Sequence, residues 1–338
     1  MRTKRILAMA LTLMLVSMAS GTTTFTVNPG GGANYTSLSA AYAAVPDPLD
    51  DAYVINCAGA TDDVITSTVT LNKVTSATNT LTITGDNTSG IFDDAKYQLK
   101  VGNTNITALV ISSSYTTVRN LQVTGANSAS YNYTGIEITG ATVNVTVLDC
   151  IVKNFLKEGN NSGIAFSAGS GTGHLAYNNI IYNCRQGIRF PQGGQGEADN
   201  NTIANCTDYG LYIYRATSRT ITVQNNLMKN NGTGDDYHVG GGTAGTLYTA
   251  KNYTSDANSP DSGCANATIT FAGASDFHLD PTMAGTLLGV DLGATFNVDI
   301  DGQTRSHWDA GADELPVTST ESQPMNVGLN TGLEVGLE

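Results

Sequence analysis

Residues 185–219 hold the side chains best suited to chemistry. Tyr212 and Tyr214 alternate with Leu211 and Ile213, Tyr209 lies just before them, and Arg185, Arg189, Arg215 and Arg219 form the densest basic group of the chain. Sugar rings stack on tyrosine faces, and arginine pairs with a uronate carboxylate or a sulfate. Tyrosine is also an ordinary solvent-facing strand residue, so both readings stand at this point. The acids Glu197, Asp199 and Asp208 are interspersed with the arginines, which makes Arg189 and Asp199 the fallback catalytic pair. Farther on, Asn297-Val298-Asp299-Ile300-Asp301-Gly302 matches the first six places of a calcium loop, with Asn297, Asp299 and Asp301 as oxygen ligands. The twelfth place is Trp308 rather than a bidentate glutamate, so a hydrogen-bonded turn is the competing reading. The four histidines are scattered and accompany no cysteine in a metal-ligand pattern; calcium is the one cofactor that the sequence suggests.

These side chains need a scaffold, and a repeat supplies it. The segments 118–125 (VRNLQVTG), 147–154 (VLDCIVKN), 177–184 (YNNIIYNC), 199–206 (DNNTIANC) and 224–231 (QNNLMKNN) are alike, with the shared position placed at Asn120, Asp149, Asn179, Asn201 and Asn226. A second echo follows each: GIEI (135–138), GIAF (163–166), GIRF (187–190) and GLYI (210–213). Each period therefore holds about three short strands joined by Gly, Asn or Ser turns, the mark of a solenoid whose coils stack in parallel. One coil cannot bury its apolar residues; a stack builds continuous Ile, Val and Leu ladders. Asn183, Asn205 and Asn230 recur at one turn, where stacked amides can hydrogen-bond along the axis. If the Ile or Leu after each Gly points inward, strand alternation places Glu137, Ala165, Arg189 and Tyr212 in one outward row. Tyr209, Tyr214 and Arg215 then join them in a ligand-binding face. Cys184 and Cys206 occupy equivalent places 22 residues apart, so they form either a disulfide across adjacent coils or two buried thiols.

This repeat resembles the right-handed parallel β-helix proteins of the pectate-lyase-like superfamily. The expected fold is all-β, about ten three-strand coils with a short N-terminal capping helix. Residues 22–47 resemble the N-terminal segment of pectin methylesterases, with a helix from about Ser37 that presents Leu38, Ala41, Tyr42 and Val45 to the core and stops at Pro46. Residues 276–315, with their DIDG, Arg and DAGADE elements, resemble the closing segment of bacterial secreted, surface-anchored β-helix proteins. The superfamily includes polysaccharide lyases, hydrolases and esterases beside many proteins with no reaction. A lyase implies an Arg or Lys base near a calcium-binding carboxylate cluster, and no such cluster accompanies the arginines in sequence. An esterase implies paired Asp with Gln and Arg; Asp149 and Asp199 are the best candidates, and neither has that set. Asp235-Asp236 with His238 is similar to a polygalacturonase pair, but the flanking motifs are missing, and the two acids are expected in a solvated loop.

Met1 to Ala19 reads as a secretory signal, with basic Arg2, Lys4 and Arg5 before the apolar run Ile6–Val16 and small residues at the cut. That run is too short to span a bilayer comfortably. The expected organisation is a leader at 1–19, a strand and capping helix at 20–48, a β-helix at 49–275, a closing segment at 276–315 and a flexible tail at 316–338. With 29 acidic against 16 basic residues and a net charge of −13, the surface does not suit nucleic acid. The reading is a secreted or cell-surface protein, non-catalytic, that binds extracellular glycan or self-associates through its rod ends or tail. The alternative is a lyase or glycoside hydrolase acting on acidic polysaccharide.

Overall fold

The computed structural model describes residues 21–315, apart from 131–132, 160, 168, 216–218, 233–234, 242–244 and 294–295. The expected leader (1–19) and tail (316–338) lie outside the described residues, as does the side chain of Arg215. Over the described residues the chain winds into a right-handed parallel β-helix of about eight turns, close to the expected ten, with sheets of nine, seven and eight strands.

The first sheet runs from Thr22–Val27 through Ala52–Cys57, Leu81–Thr84, Thr116–Arg119, Val145–Leu148, Leu175–Tyr177, Gly196–Asp199 and Thr220–Gln224 to Thr246–Ala250. Each coil then turns into the third sheet, for example Ile151–Lys153 or Thr202–Ala204, and next into the second, for example Ser162–Phe166 or Tyr209–Arg215. Alternation turns every other side chain inward. Ile55, Ile83, Val118 and Val147 stack in the first sheet, Leu109, Ile136, Ile164, Ile188 and Leu211 in the second, and Leu99, Val123, Val152, Ile181 and Ile203 in the third. All are fully buried, each contributing about 1.5–3 kcal/mol of transfer free energy. At the N-terminal end the helix Leu38–Ala44 starts at Ser37, whose side chain accepts from the Ala40 amide, and buries Leu38, Ala41 and Tyr42.

The corner between the first and third sheets is set by Asn120, Asp149, Asn178, Asn200 and Asn225, whose φ lies between 52° and 55°. Asparagine and aspartate tolerate this left-handed conformation better than other non-glycine residues. Because Ile151 pairs with Ile180, and Ile180 with Thr202, the stacked equivalents of Asp149 are Asn178 and Asn200. Aligning it with Asn179 and Asn201 is therefore one residue out. The next residue of each turn points inward, giving the column Leu121, Cys150, Asn179, Asn201, Asn226 and Asn252. Here lies the amide ladder. Asn179 donates N–H and Nδ2–H to Asn201 Oδ1 (3.1 and 2.9 Å), and Asn201 does the same to Asn226 Oδ1 (3.1 and 3.0 Å). Asn226 repeats this with Asn252, whose amide groups end on Asp261 Oδ2 (both 2.8 Å). At the second corner, the expected ladder residues Asn183, Asn205 and Asn230 are instead the left-handed residues, and the last two are exposed.

After Thr254 the chain leaves the solenoid and folds back along its flank. Asn178 Nδ2 donates to the Val298 carbonyl (2.7 Å), Asn225 bonds both polar groups of the Val290 backbone, and the Ala312 amide donates to Thr202 Oγ1 (2.9 Å). Arg305 is buried and ties this segment together, reaching Asn178 Oδ1 and the carbonyls of Asp309, Gly311 and Ala312, with Glu314 at 3.6 Å. Of the DIDG, Arg and DAGADE elements, Asp299, Arg305, Asp309, Asp313 and Glu314 are all buried.

Candidate functional site

The second sheet places Glu137, Ala165, Arg189, Tyr212 and His238 in one pairing register. Ile138, Phe166, Phe190 and Ile213 pair in the adjacent row and are fully buried, so the first row faces outward. Its members are half-buried except Ala165, which is small enough to sink between Glu137 and Arg189. The Tyr212 and His238 rings are nearly parallel (9°) with centroids 5.5 Å apart. Tyr209 lies 5.2 Å from Tyr212 and 4.5 Å from His238, closing a three-ring cluster. Two glycines let the tyrosines lie flat. A Cβ on Gly241 would come within 2.9 Å of the Tyr214 ring, and one on Gly240 within 3.1 Å of the Tyr212 hydroxyl.

The imidazole is oriented from behind: His238 Nδ1 is 3.0 Å from Asp235 Oδ2, and Asn258 Nδ2 donates to Asp235 Oδ1 at 2.5 Å. Burial pushes the Arg189 guanidinium pKa down, and Tyr212 and Glu137 oppose that shift electrostatically. Arg185 is committed to Asp208 at 3.4 Å, and Gln186 Nε2 reaches the same carboxylate oxygen. The sequence pattern missed His238 because its strand, Tyr237–Gly241, carries Tyr where the others carry Ile or Leu after glycine. Counting one further coil from Tyr212 would have found it.

Other sequence candidates fall elsewhere. Asp199 belongs to the first sheet, is 1% exposed and has its carboxyl pushed well up by burial and by Glu197. It does not meet Arg189 on the second sheet, so the fallback catalytic pair is not assembled. Asp236 is no solvated acid: its Oδ1 accepts from the amide and Nδ2 of Asn231, and its Oδ2 from the amide and hydroxyl of Ser255. Asp299 Oδ1 accepts the amides of Asp301 and Gln303, and Oδ2 that of Glu314. Asn297, Asp299 and Asp301 therefore lie in a hydrogen-bonded turn. Cys184 and Cys206 are free, as are the other three thiols. Each sulfur turns toward a carbonyl of its own coil, Tyr182 (3.4 Å) or Ala204 (3.8 Å), and burial raises the pKa of Cys184 to about 12.

A groove on the third sheet had no signal in the repeat pattern. Its floor is the outward row Val64, Lys100, Thr124 and Lys153, and the inserted loop 85–97 supplies Phe92 and Asp94 as one wall. Its volume is about 430 Å³. The Lys153 ammonium lies 2.9 Å from the Phe92 ring centroid, and burial lowers its pKa to about 8. Lys100 pairs with Asp62 at 2.6 Å.

The family described as a right-handed beta helix region matches residues 68–258. None of the curated proteins matches the chain. Among solved structures, the crystal structure of pectate lyase Pel9A is similar in outline, with a TM-score of 0.42 and 13% identity over 89% of this chain and 98% of that one.

Proposed function

Because the chain belongs to the right-handed beta helix family, we propose that it is an extracellular rod that holds glycan chains on its second sheet without cleaving them. The carrying observation is the ring cluster of Tyr209, Tyr212 and His238 in line with Arg189 and Glu137. Coils repeat every ~4.8 Å, so a sugar chain laid along the axis meets a ring on one coil and a guanidinium on the next. The rings offer apolar faces to pyranose C–H groups, and Arg189 offers a fork to one carboxylate or sulfate. The basic and then apolar stretch at 1–19 supports export.

Retention of the protein by immobilised neutral, uronate and sulfated polysaccharides tests this reading. Tyr212→Ala is expected to weaken retention on every bound polymer about tenfold, equivalent to ~1.4 kcal/mol. Arg189→Ala should weaken it only on the acidic ones. Release of new reducing ends or unsaturated uronate would instead support an enzyme. For that second reading the favouring observation is the third-sheet groove, where Lys153 is a base with a lowered pKa. Lys153→Ala would then abolish product while Arg189→Ala would not. If no polymer retains the protein, self-association lost on deleting 316–338 would point to assembly.

A further inference from the structure

Three parts of the closing segment converge beside a loop of the rod. His278 Nδ1 is held by Asp276 Oδ1 at 2.6 Å. Its Nε2 faces Asp301, and both carboxylate oxygens stand 3.3 Å away. Charge-assisted N–H···O bonds close to about 2.7–2.9 Å, so this spacing is long and is symmetric about the carboxylate. An ion about 2.0–2.1 Å from an imidazole nitrogen and about 2.0–2.2 Å from a carboxylate oxygen leaves the two ligand atoms ~3.3 Å apart at a near-tetrahedral angle. Asp313 completes the set: ligand atoms of His278, Asp301 and Asp313 all lie within 4.8 Å of one another.

Two further observations are independent of that spacing. Asp313 is 5% exposed and uses Oδ2 to accept the Leu279 amide, while its Oδ1 has no hydrogen-bond donor among the described residues. Gly90, from the loop 85–97, has φ +61°, and a Cβ there would sit 2.6 Å from His278 Nε2 and 2.7 Å from Ile300 Cγ2. A side chain at this position would therefore collide with the ring nitrogen.

We propose that His278, Asp301 and Asp313 form a binding site for a first-row divalent metal ion of the Zn²⁺ type, which pins the closing segment against the Gly90 loop. One imidazole with two carboxylates suits such an ion better than the all-oxygen sets of Ca²⁺ or Mg²⁺. Asp276 fixes the ring so that Nε2 is the ligand, as outer carboxylates do for metal-bound histidines. The ion competes with a proton. Facing the imidazole are Asp276, Asp301 and Asp313, with Asp299 acting in turn on Asp313. Burial disfavours the charged ring, but the carboxylates outweigh it and raise the pKa to about 9.

Full-length protein freed of metal with a chelator and titrated with ZnCl₂ by calorimetry tests this. One equivalent should bind at pH 8. The ion should also raise Tm, because it binds the folded chain alone. His278→Gln and Asp301→Asn, each checked for native circular dichroism, should both lose this uptake. Absence of uptake at pH 8, or uptake undiminished in folded His278→Gln, would each overturn the assignment. None of these outcomes bears on the second-sheet face, since polysaccharide retention is read separately.

Discussion

Asn201→Asp is expected to destabilise the rod strongly, and more at pH 8 than at pH 4. Asn201 is fully buried, donates Nδ2–H to the Ala176 carbonyl and to Asn226 Oδ1, and accepts twice from Asn179. A carboxylate keeps the accepting half and loses the donating half, so the Ala176 and Asp199 carbonyls and Asn226 Oδ1 face its oxygen without a hydrogen between them. The ladder tolerates an acid only where no further coil must be reached, at Asp261. Buried at position 201, the acid would stay protonated well above the usual carboxylate range. Its penalty would be absent below the unfolded pKa of about 3.9 and grow as pH rises toward the folded value. Asn201→Ala removes the charge problem and leaves Asn179 two hydrogen bonds short, at about 1–3 kcal/mol for each unsatisfied group. Urea midpoints at pH 4 and pH 8 separate the two: the Ala variant falls equally at both, the Asp variant much farther at pH 8. An unchanged midpoint for either would show that the ladder contributes no net stability.

Asp149→Asn is expected to work in the opposite direction. Burial raises the Asp149 carboxyl pKa to about 7, with Asp299 adding to the shift and Asn178, Arg119 and Arg305 opposing it. For an acid raised in the folded state, stability is complete below the unfolded pKa and is lost as pH climbs through the folded one. At pH 8 the loss approaches about 4 kcal/mol at one pKa unit per ~1.4 kcal/mol, and solvent access lowers this to a gain of about 1–4 kcal/mol on substitution. Asparagine fits the turn, since Asn120, Asn178, Asn200 and Asn225 hold the same left-handed φ at the stacked positions. Thermal unfolding should show Tm raised by several degrees at pH 8 and little changed at pH 4. An equal gain at both would mean that turn conformation, and not charge burial, is responsible.

Much of this molecule is legible in its amino acids because the repeat is local. The strand-turn-strand pattern, the inward Ile and Leu after each glycine, and hence the outward row Glu137–Ala165–Arg189–Tyr212, need only the two-residue alternation of a strand. The capping helix was likewise readable from Ser37 to Pro46. One error shows where that legibility stops. Asparagine doublets at 178–179, 200–201 and 225–226 look interchangeable in sequence, yet one member takes the left-handed turn and the other points into the core. Pairing with the next coil decides which.

The amino-acid sequence by itself determined the architecture of this protein, because turn chemistry and alternation act over a few neighbouring residues and repeat on every coil. Tertiary structure alone decided what meets what. It put Asp199 on a different sheet from Arg189, made Asp236 and Asp261 acceptors for buried amides, and walled the Lys153 groove with a loop inserted between two strands. It also laid Val298 against Asn178 and His278 beside Gly90. Such contacts join segments more than a hundred residues apart; they depend on where the returning chain crosses the stack, and no local pattern records that crossing.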